Sequence, residues 1–252
     1  MTKCLFLLAL CLLPFVALSS TFSSHNPIEL PTATVSPKFL DLHKAKSTTT
    51  LSDDPVVHTI LYNPVTPDGT YRMGNTDGGV LGGYIYLGKA PNSDSPCPDA
   101  PFKYNGEGGT SHSAIRLIPY KNIGKPPSIH ENQDFNIQFT EYNSGCSNYT
   151  TWKVEEQHGA TIKGASLVST KGGTIGQADS SWFRLKSYSS EYATGYLLLW
   201  CPGPILCPTC TSDDCYSAWM VLVEGRRMQI AGVLTTDVTA DYYPLVVGFE
   251  NP

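Results

Sequence analysis

Short runs of alternating apolar and polar residues, separated by clusters of Gly, Pro and Asn, recur along the chain from Asp54 onward. The clearest runs are residues 84–87, 135–139, 196–200 and 219–223. Each has strand length and is rich in aromatic or β-branched residues, which is typical of β-strands. Apolar residues rarely recur at helical spacing, so no helix of ordinary length is predicted. Many strands at close spacing predict an all-β barrel or sandwich.

A coarse internal repeat narrows the choice of fold. A run at residues 113–118 is followed by runs at 135–139 and 151–154, and a run at 181–186 is followed by runs at 196–200 and 218–221. A weaker copy starts at residue 70. Repeated β units must be considered before other folds, because they determine the architecture. Three copies predict threefold pseudo-symmetry, as in a β-trefoil.

The N-terminal residues predict a secreted precursor. Lys3 is followed by an almost wholly apolar stretch, residues 4–18, and then by small residues. This pattern is typical of a cleaved signal peptide, which we assign to residues 1–24, and it is too short for a membrane span. Residues 25–53 are rich in Ser, Thr and Pro, and predict a disordered propeptide. Residues 54–252 form the predicted domain, which has no membrane-spanning stretch.

The propeptide contains a candidate sorting signal. Asn26-Pro27-Ile28-Glu29-Leu30 resembles the Asn-Pro-Ile-x-Leu vacuolar sorting signal of plant proproteins. The resemblance implies a vacuolar sorting receptor as a partner and the vacuole as the destination, with the cell exterior as the alternative. A chance pentapeptide in a linker is the competing interpretation.

Six cysteines remain after removal of the signal peptide with Cys4 and Cys11: Cys97, Cys146, Cys201, Cys207, Cys210 and Cys215. In a secreted chain an even number predicts three disulfides, with fifteen possible pairings. The four later cysteines could instead bind zinc, but the oxidising compartment favours disulfides. Asn148-Tyr149-Thr150 is a glycosylation sequon, so Asn148 is a candidate glycosylated surface residue.

Charge and motifs exclude several functions. The net charge is −5 and only 15% of residues are charged, so no basic surface for a nucleic acid is predicted. The chain lacks a Gly-x-Ser-x-Gly elbow, a His-Glu-x-x-His motif and a phosphate-binding loop. Its six histidines are scattered. We therefore predict neither an enzyme nor a protein with a metal or another cofactor.

Residues 109–127 are the candidate functional segment. They are rich in Gly, Ser, Pro and Lys, which predicts a loop, and they lie between Cys97 and Cys146. The segment presents Arg116 before Leu117, with Lys121 and Lys125 further on. A basic side chain on an exposed, cross-linked loop suits the specificity pocket of a trypsin-like protease. The alternative is that Arg116 is one solvated charge at a strand end.

Four segments resemble the Kunitz-type soybean trypsin inhibitor family, and most closely its potato cathepsin D or aspartic protease inhibitor branch: residues 82–99, 135–139, 151–154 and 172–181. The resemblance implies a β-trefoil. It also implies a disulfide between Cys97 and Cys146, and a nested pair in which Cys201–Cys215 encloses Cys207–Cys210.

The same resemblance implies a function. Family members inhibit proteases by substrate-like binding of a loop, and matching that loop puts the P1 residue at Arg116 and the P1′ residue at Leu117. Lys121 and Lys125 are the alternatives. The targets implied are trypsin-like serine proteases and cathepsin D-like aspartic proteases, the role is plant defence, and the protein is expected to be a monomer. The alternative is a storage or carbohydrate-binding β-trefoil without inhibitory activity.

Overall fold

The computed structural model describes residues 45–46, 54–76, 83–91, 93–104, 112–119, 127–155, 165–171, 173, 175, 180–202, 214–224, 227–233 and 242–252. All of these residues belong to one compact unit, Val35–Pro252. Within the described ranges, no helix has the length and apolar character needed to cross a membrane.

The secondary structure of the described residues consists almost entirely of β-strands. The strands are β1 (Ala45–Lys46), β2 (Tyr71–Asn75), β3 (Gly83–Gly88), β4 (Ala100–Tyr104), β5 (Ala114–Pro119), β6 (Phe135–Phe139), β7 (Lys153–Val154), β8 (Ala165–Ser169), β9 (Phe183–Ser189), β10 (Thr194–Trp200), β11 (Asp214–Glu224), β12 (Arg227–Val233), β13 (Tyr242–Pro244) and β14 (Val246–Glu250). A three-residue 3₁₀ helix, Ser144–Cys146, lies between β6 and β7.

Six strands close into a ring by antiparallel pairing. Their order is β2–β5–β6–β9–β10–β14, and β14 pairs back with β2. The longest ladder joins β9 and β10 over seven residue pairs, from Thr194↔Ser189 to Trp200↔Phe183. Such closure requires the tilted strands of a small β-barrel.

The remaining strands pair mainly with one another. β3 pairs with β4, β4 with β12, and β12 with both β8 and β11, while β7 pairs with β8. Two connections link this second group to the ring, because β2 also pairs with β3 and β10 with β11. The β3–β4 and β11–β12 pairs join strands that are consecutive in sequence.

The core follows from residue alternation along the strands. In β2 the buried residues Tyr71, Met73 and Asn75 alternate with half-buried ones, as expected for a strand with one face on the core. Trp152 is fully buried, and its ring lies 5.7 Å from that of Phe139 and 6.0 Å from that of Phe183. Because aromatic side chains bury the largest apolar areas, this cluster contributes strongly to stability.

The structure confirms the predicted all-β class and the four clearest strands, which correspond to β3, β6, β10 and β11. Strand β1 lies within the segment predicted as the propeptide, where Ala45 and Lys46 pair with Cys215 and Asp214 of β11. The predicted signal peptide and the sorting-signal residues Asn26, Pro27, Ile28 and Leu30 lie outside the described residues.

Candidate functional site

Arg116 lies near the middle of strand β5 with its side chain exposed. Its neighbours Ile115 and Leu117 are both fully buried in the core. This alternation is dictated by the strand, since successive side chains point to opposite faces. The strand therefore fixes the guanidinium outward and the two apolar side chains inward.

The guanidinium of Arg116 is held by a short hydrogen-bond chain. Arg116 is paired in register with Gln138 of β6, and its Nε and Nη2 both donate to Gln138 Oε1, at 2.8 and 2.6 Å. Gln138 Nε2 donates to Thr150 Oγ1 at 3.0 Å, and Thr150 Oγ1 donates to the carbonyl of Ser147 at 3.2 Å. Because Thr150 is buried, the chain anchors an exposed cation to the body of the protein.

The predicted loop is wrong for residues 114–119. These residues form five register pairs with β6, from Ile115↔Phe139 to Pro119↔Phe135, and two with β2. The backbone of Arg116 and Leu117 is paired with β6, and Leu117 has no exposed surface for a P1′ contact. The alternative residues Lys121 and Lys125 lie outside the described residues, in the connection between β5 and β6.

The residues just before β5 are anchored to β3. The Ser113 N–H donates to the carbonyl of Ile85 at 3.1 Å, and the N–H of Leu87 donates to Ser113 Oγ at 3.0 Å. The exposed His112 ring packs edge-on against Tyr84, with the ring centroids 6.1 Å apart. The approach to Arg116 is therefore fixed by backbone as well as side-chain contacts.

Tyr84 links this approach to the end of β14. Its hydroxyl donates to Glu250 Oε2, and Glu250 is paired in register with Arg72 of β2. The hydrogen bond to Glu250 raises the pKa of the Tyr84 hydroxyl, burial raises it further, and Arg72 opposes the shift. These contacts tie together β2, β3 and β14 beside His112.

Two of the three implied disulfides are present. Cys97–Cys146 spans 49 residues with a Cα–Cα distance of 5.7 Å, and Cys201–Cys215 spans 14 residues with a distance of 4.1 Å. The first one brackets β5 in sequence, as the resemblance implied. The remaining implied partners, Cys207 and Cys210, lie outside the described residues.

Asn148 is exposed and follows the disulfide-bonded Cys146 by two residues. The third residue of its sequon, Thr150, is only 1% exposed and is held by the contact to Gln138 described above. The sequon residue Asn148 is therefore close in the chain to the anchor of Arg116.

The His130 side chain has two structural partners. His130 Nδ1 lies 2.8 Å from the carbonyl of Asp54, and its Nε2 lies 3.3 Å from Ser128 Oγ. Among the described residues, no group of three or more His, Cys, Asp or Glu side chains is arranged to hold a metal ion.

Sequence patterns missed two features of the protein surface, one at Arg116 and one elsewhere. The partner role of Gln138 depends on the register between β5 and β6, which no local signal specifies. The second is an exposed apolar turn at residues 59–62, in which Leu61 is 70% and Tyr62 87% exposed. An apolar run beside Asn63 and Pro64 was its only sequence signal.

Both the sequence and the fold match known protease inhibitors. A family model of the legume Kunitz type, described as trypsin and protease inhibitor, matches residues 60–237. Aspartic protease inhibitor 10 of Solanum tuberosum is 42% identical over 231 residues, which cover 90% of this chain and 92% of the relative. Serine protease inhibitor 7 of the same plant is 41% identical over 230 residues, covering 89% and 91%.

A solved structure agrees with this assignment. The Kunitz-type cysteine protease inhibitor from potato superposes with a TM-score of 0.57 at 26% identity, covering 79% of this chain and 97% of that one. The chain belongs to the Kunitz-type trypsin and protease inhibitor family. Members of this family are known as inhibitors of proteases and not as enzymes, in agreement with the prediction from the missing catalytic motifs.

Proposed function

We propose that this protein inhibits proteases, with trypsin-like serine proteases and cathepsin D-like aspartic proteases as its targets. The observation that carries the proposal is the identity of 41–42% to potato inhibitors named for both classes, over about nine-tenths of the chain. The role in the plant would be defence against foreign proteases, and the protein would act as a monomer without a cofactor.

Arg116 is the proposed contact to trypsin-like enzymes. The specificity pocket of such an enzyme ends in a carboxylate, which arginine binds with two charge-assisted hydrogen bonds. Because Gln138 already holds the guanidinium, little side-chain entropy is lost when a protease binds it. Arg116 acts here as an exposed cation on a strand, and the bond between Arg116 and the buried Leu117 is not the one presented for cleavage.

Lys121 and Lys125 remain the alternative basic contacts. Both lie in the connection from β5 to β6, between Pro119 and Pro127, and so follow Arg116 closely in the chain. A protease interface of standard size buries about 1,600 Å², which is more than a single side chain provides. Arg116 and the connection from β5 to β6 would therefore both contribute to the interface with the protease.

The proposed architecture is a β-trefoil with three pseudo-repeats and three disulfides. A closed ring of six strands supports it, as do the β3–β4, β7–β8 and β11–β12 pairs outside the ring. The third disulfide would join Cys207 to Cys210 inside the loop closed by Cys201–Cys215. Mass spectrometry of the non-reduced, digested protein would identify that pair, and a free thiol at either residue would exclude it.

We infer processing and sorting from the sequence alone. Residues 1–24 would be removed as a signal peptide and residues 25–53 as a propeptide, leaving the domain 54–252 in the vacuole or, alternatively, outside the cell. Deleting Asn26, Pro27, Ile28 and Leu30 from a fluorescent fusion should redirect it from the vacuole to the medium. Unchanged vacuolar fluorescence would exclude this signal and its receptor.

We also propose that Asn148 is glycosylated. A decrease in the mass of the protein on glycosidase treatment, absent in an Asn148→Gln variant, would support this, and an unchanged mass would exclude it.

The test of the inhibitory function is a titration of the purified mature protein against trypsin, chymotrypsin, a papain-like and a pepsin-like protease. Arg116→Ala should raise the inhibition constant for trypsin about 100-fold, as expected for loss of a central contact. Lys186→Ala is the matched control, because it removes an exposed cation from β9. If Arg116→Ala, Lys121→Ala and Lys125→Ala all leave trypsin inhibition unchanged, the cationic contact is excluded.

A further inference from the structure

An exposed apolar turn lies at the tip of a hairpin that precedes β2. Residues 59–62, named here the apolar turn, carry Ile60, Leu61 and Tyr62 in succession, at 50%, 70% and 87% exposure. Three consecutive large apolar side chains in water are unusual, because a soluble protein gains stability by burying such groups. Their exposure indicates a contact surface.

Three hydrogen bonds hold the backbone of the apolar turn. The Thr59 N–H donates to the Asn63 carbonyl at 2.8 Å, and the Tyr62 N–H donates to the Thr59 carbonyl at 2.9 Å. The Ile60 N–H donates to Phe249 of β14 at 2.9 Å, which fastens the tip to the barrel. A rigid turn loses little conformational freedom on binding, so its apolar contacts contribute almost fully to affinity.

The turn also holds Tyr62 in a conformation that bulky residues rarely adopt. Its φ angle is 61°, in the left-handed region that glycine, asparagine and aspartate tolerate best. Such strain costs of the order of 1–3 kcal/mol and is found most often at binding sites. Because the ring is exposed, it adds no core packing that would offset this strain. A partner that binds the ring would explain why a tyrosine is found here.

A groove beside the turn lacks charge. It has a volume of about 590 Å³ and runs past Tyr62, Tyr188, Thr194 and Tyr196. No Asp, Glu, Lys or Arg is among the described residues that line it. Gly248 also lines it, and a Cβ there would come within 2.8 Å of Thr76 and 3.2 Å of Ile60. Because hydroxyl groups and tyrosine rings line the groove beside Ile60, the surface around the turn is suited to an uncharged partner surface.

The two inhibitor classes among the relatives need different contacts. Arg116 suits a pocket that ends in a carboxylate, but a guanidinium is a poor match for a cleft with apolar subsites, because its desolvation would be uncompensated. Aspartic proteases bind their substrates in clefts of that apolar kind. Within the described residues, the apolar turn is the place where three exposed large apolar side chains are consecutive, which matches that chemistry.

We propose that the apolar turn enters the substrate cleft of an aspartic protease, with Leu61 and Tyr62 in its apolar subsites. The proposal rests on the inhibitory function proposed above and adds a binding surface separate from Arg116. Proteases cleave peptides in extended conformation, whereas the hydrogen bonds and positive φ of this segment keep it turned. The turn is consequently bound without being cleaved.

The test compares pepsin and trypsin inhibition by the same purified variants. Tyr62→Asn removes the ring and keeps a residue that tolerates positive φ, and Leu61→Ser removes the neighbouring side chain. Each should weaken pepsin inhibition roughly 30-fold, the effect of losing one central contact, and leave trypsin inhibition within about twofold. Leu222→Ser, which removes another exposed apolar side chain (42% exposed), should change neither.

The outcomes separate this proposal from the inhibitory function itself. Trypsin inhibition by the wild-type protein without pepsin inhibition would overturn the apolar turn as a binding surface and leave the inhibitory function intact. Unchanged pepsin inhibition by both variants would also overturn it, as would an equal loss on both enzymes, which would assign the turn a structural role. Inhibition of neither enzyme by the wild type would overturn both proposals.

Discussion

Arg116 and Gln138 face each other across β5 and β6, and one amide oxygen accepts two hydrogen bonds from the guanidinium. The same amide donates to the buried Thr150. Gln138 thus determines the position of the exposed Arg116 guanidinium.

Replacing Gln138 should therefore weaken trypsin inhibition without removing the cation. Gln138→Met keeps the volume and abolishes the hydrogen bonds, so Arg116 must be ordered when the protease binds. The cost of immobilising one long side chain predicts a 3- to 10-fold increase in the inhibition constant. In an Arg116→Ala background the same change should have no further effect, and a full additional loss there would disprove the coupling.

The two observed disulfides should differ in their contribution to stability. Cys97–Cys146 spans 49 residues and Cys201–Cys215 spans 14. Chain entropy predicts about 4 kcal/mol for the first and about 3 kcal/mol for the second. Paired Cys→Ala replacements, compared by guanidinium denaturation, should show the larger loss for the first pair. The reverse order would mean that native-state contacts outweigh loop length.

Glu250 should control the alkaline titration of Tyr84. Its hydrogen bond raises the pKa of Tyr84 above the ordinary value of 10.0. The folded state thus retains a proton that the unfolded state releases, so the free energy of unfolding falls as the pH rises from 10.0 toward the higher folded value. Glu250→Gln should reduce this fall and lower the pKa of Tyr84, as measured by tyrosinate absorbance. Tyr84→Phe identifies the signal, and a titration unchanged by Glu250→Gln would contradict the assignment.

Gly232 should tolerate no side chain. A Cβ at this position of β12 would lie 2.5 Å from Cε3 of the buried Trp200. Gly232→Ala should therefore cost about 3 kcal/mol through overpacking of the core. Gly145→Ala is the matched control, because no atom lies within 4 Å of its Cβ, and it should change stability by less than about 0.5 kcal/mol. If the two variants unfold at equally shifted temperatures, the side chains around Trp200 must be able to rearrange and accept the added methyl group.

Strand positions were predictable where the local pattern was strong. The run at residues 135–139 alternates aromatic or aliphatic with polar residues, and it forms β6 with the predicted bounds. The segment around Arg116 was misassigned because Gly, Ser, Pro and Lys on either side outweighed the short run from Ala114 to Ile118. Its strand character depends on antiparallel pairing with β6 and β2. Both strands are remote from β5 in the sequence, so no local pattern reports this pairing.

The candidate site was predictable in part for the same reason. Residue type alone identified Arg116 as an exposed cation, and the resemblance implied the Cys97–Cys146 bond. The anchoring by Gln138 and Thr150, 22 and 34 positions beyond Arg116, required the strand register. The strain at Tyr62 is a property of one backbone angle, and composition carries no signal for it.

The closed ring formed by β2, β5, β6, β9, β10 and β14 has a consequence for survival among digestive enzymes. Each of these six strands has a hydrogen-bonded neighbour on both flanks. Peptidases usually recognise a polypeptide by annealing to it as an added strand, which requires a vacant edge. Within the described residues none of the six is an edge strand, so we expect the folded barrel to be a poor substrate for the proteases that it meets.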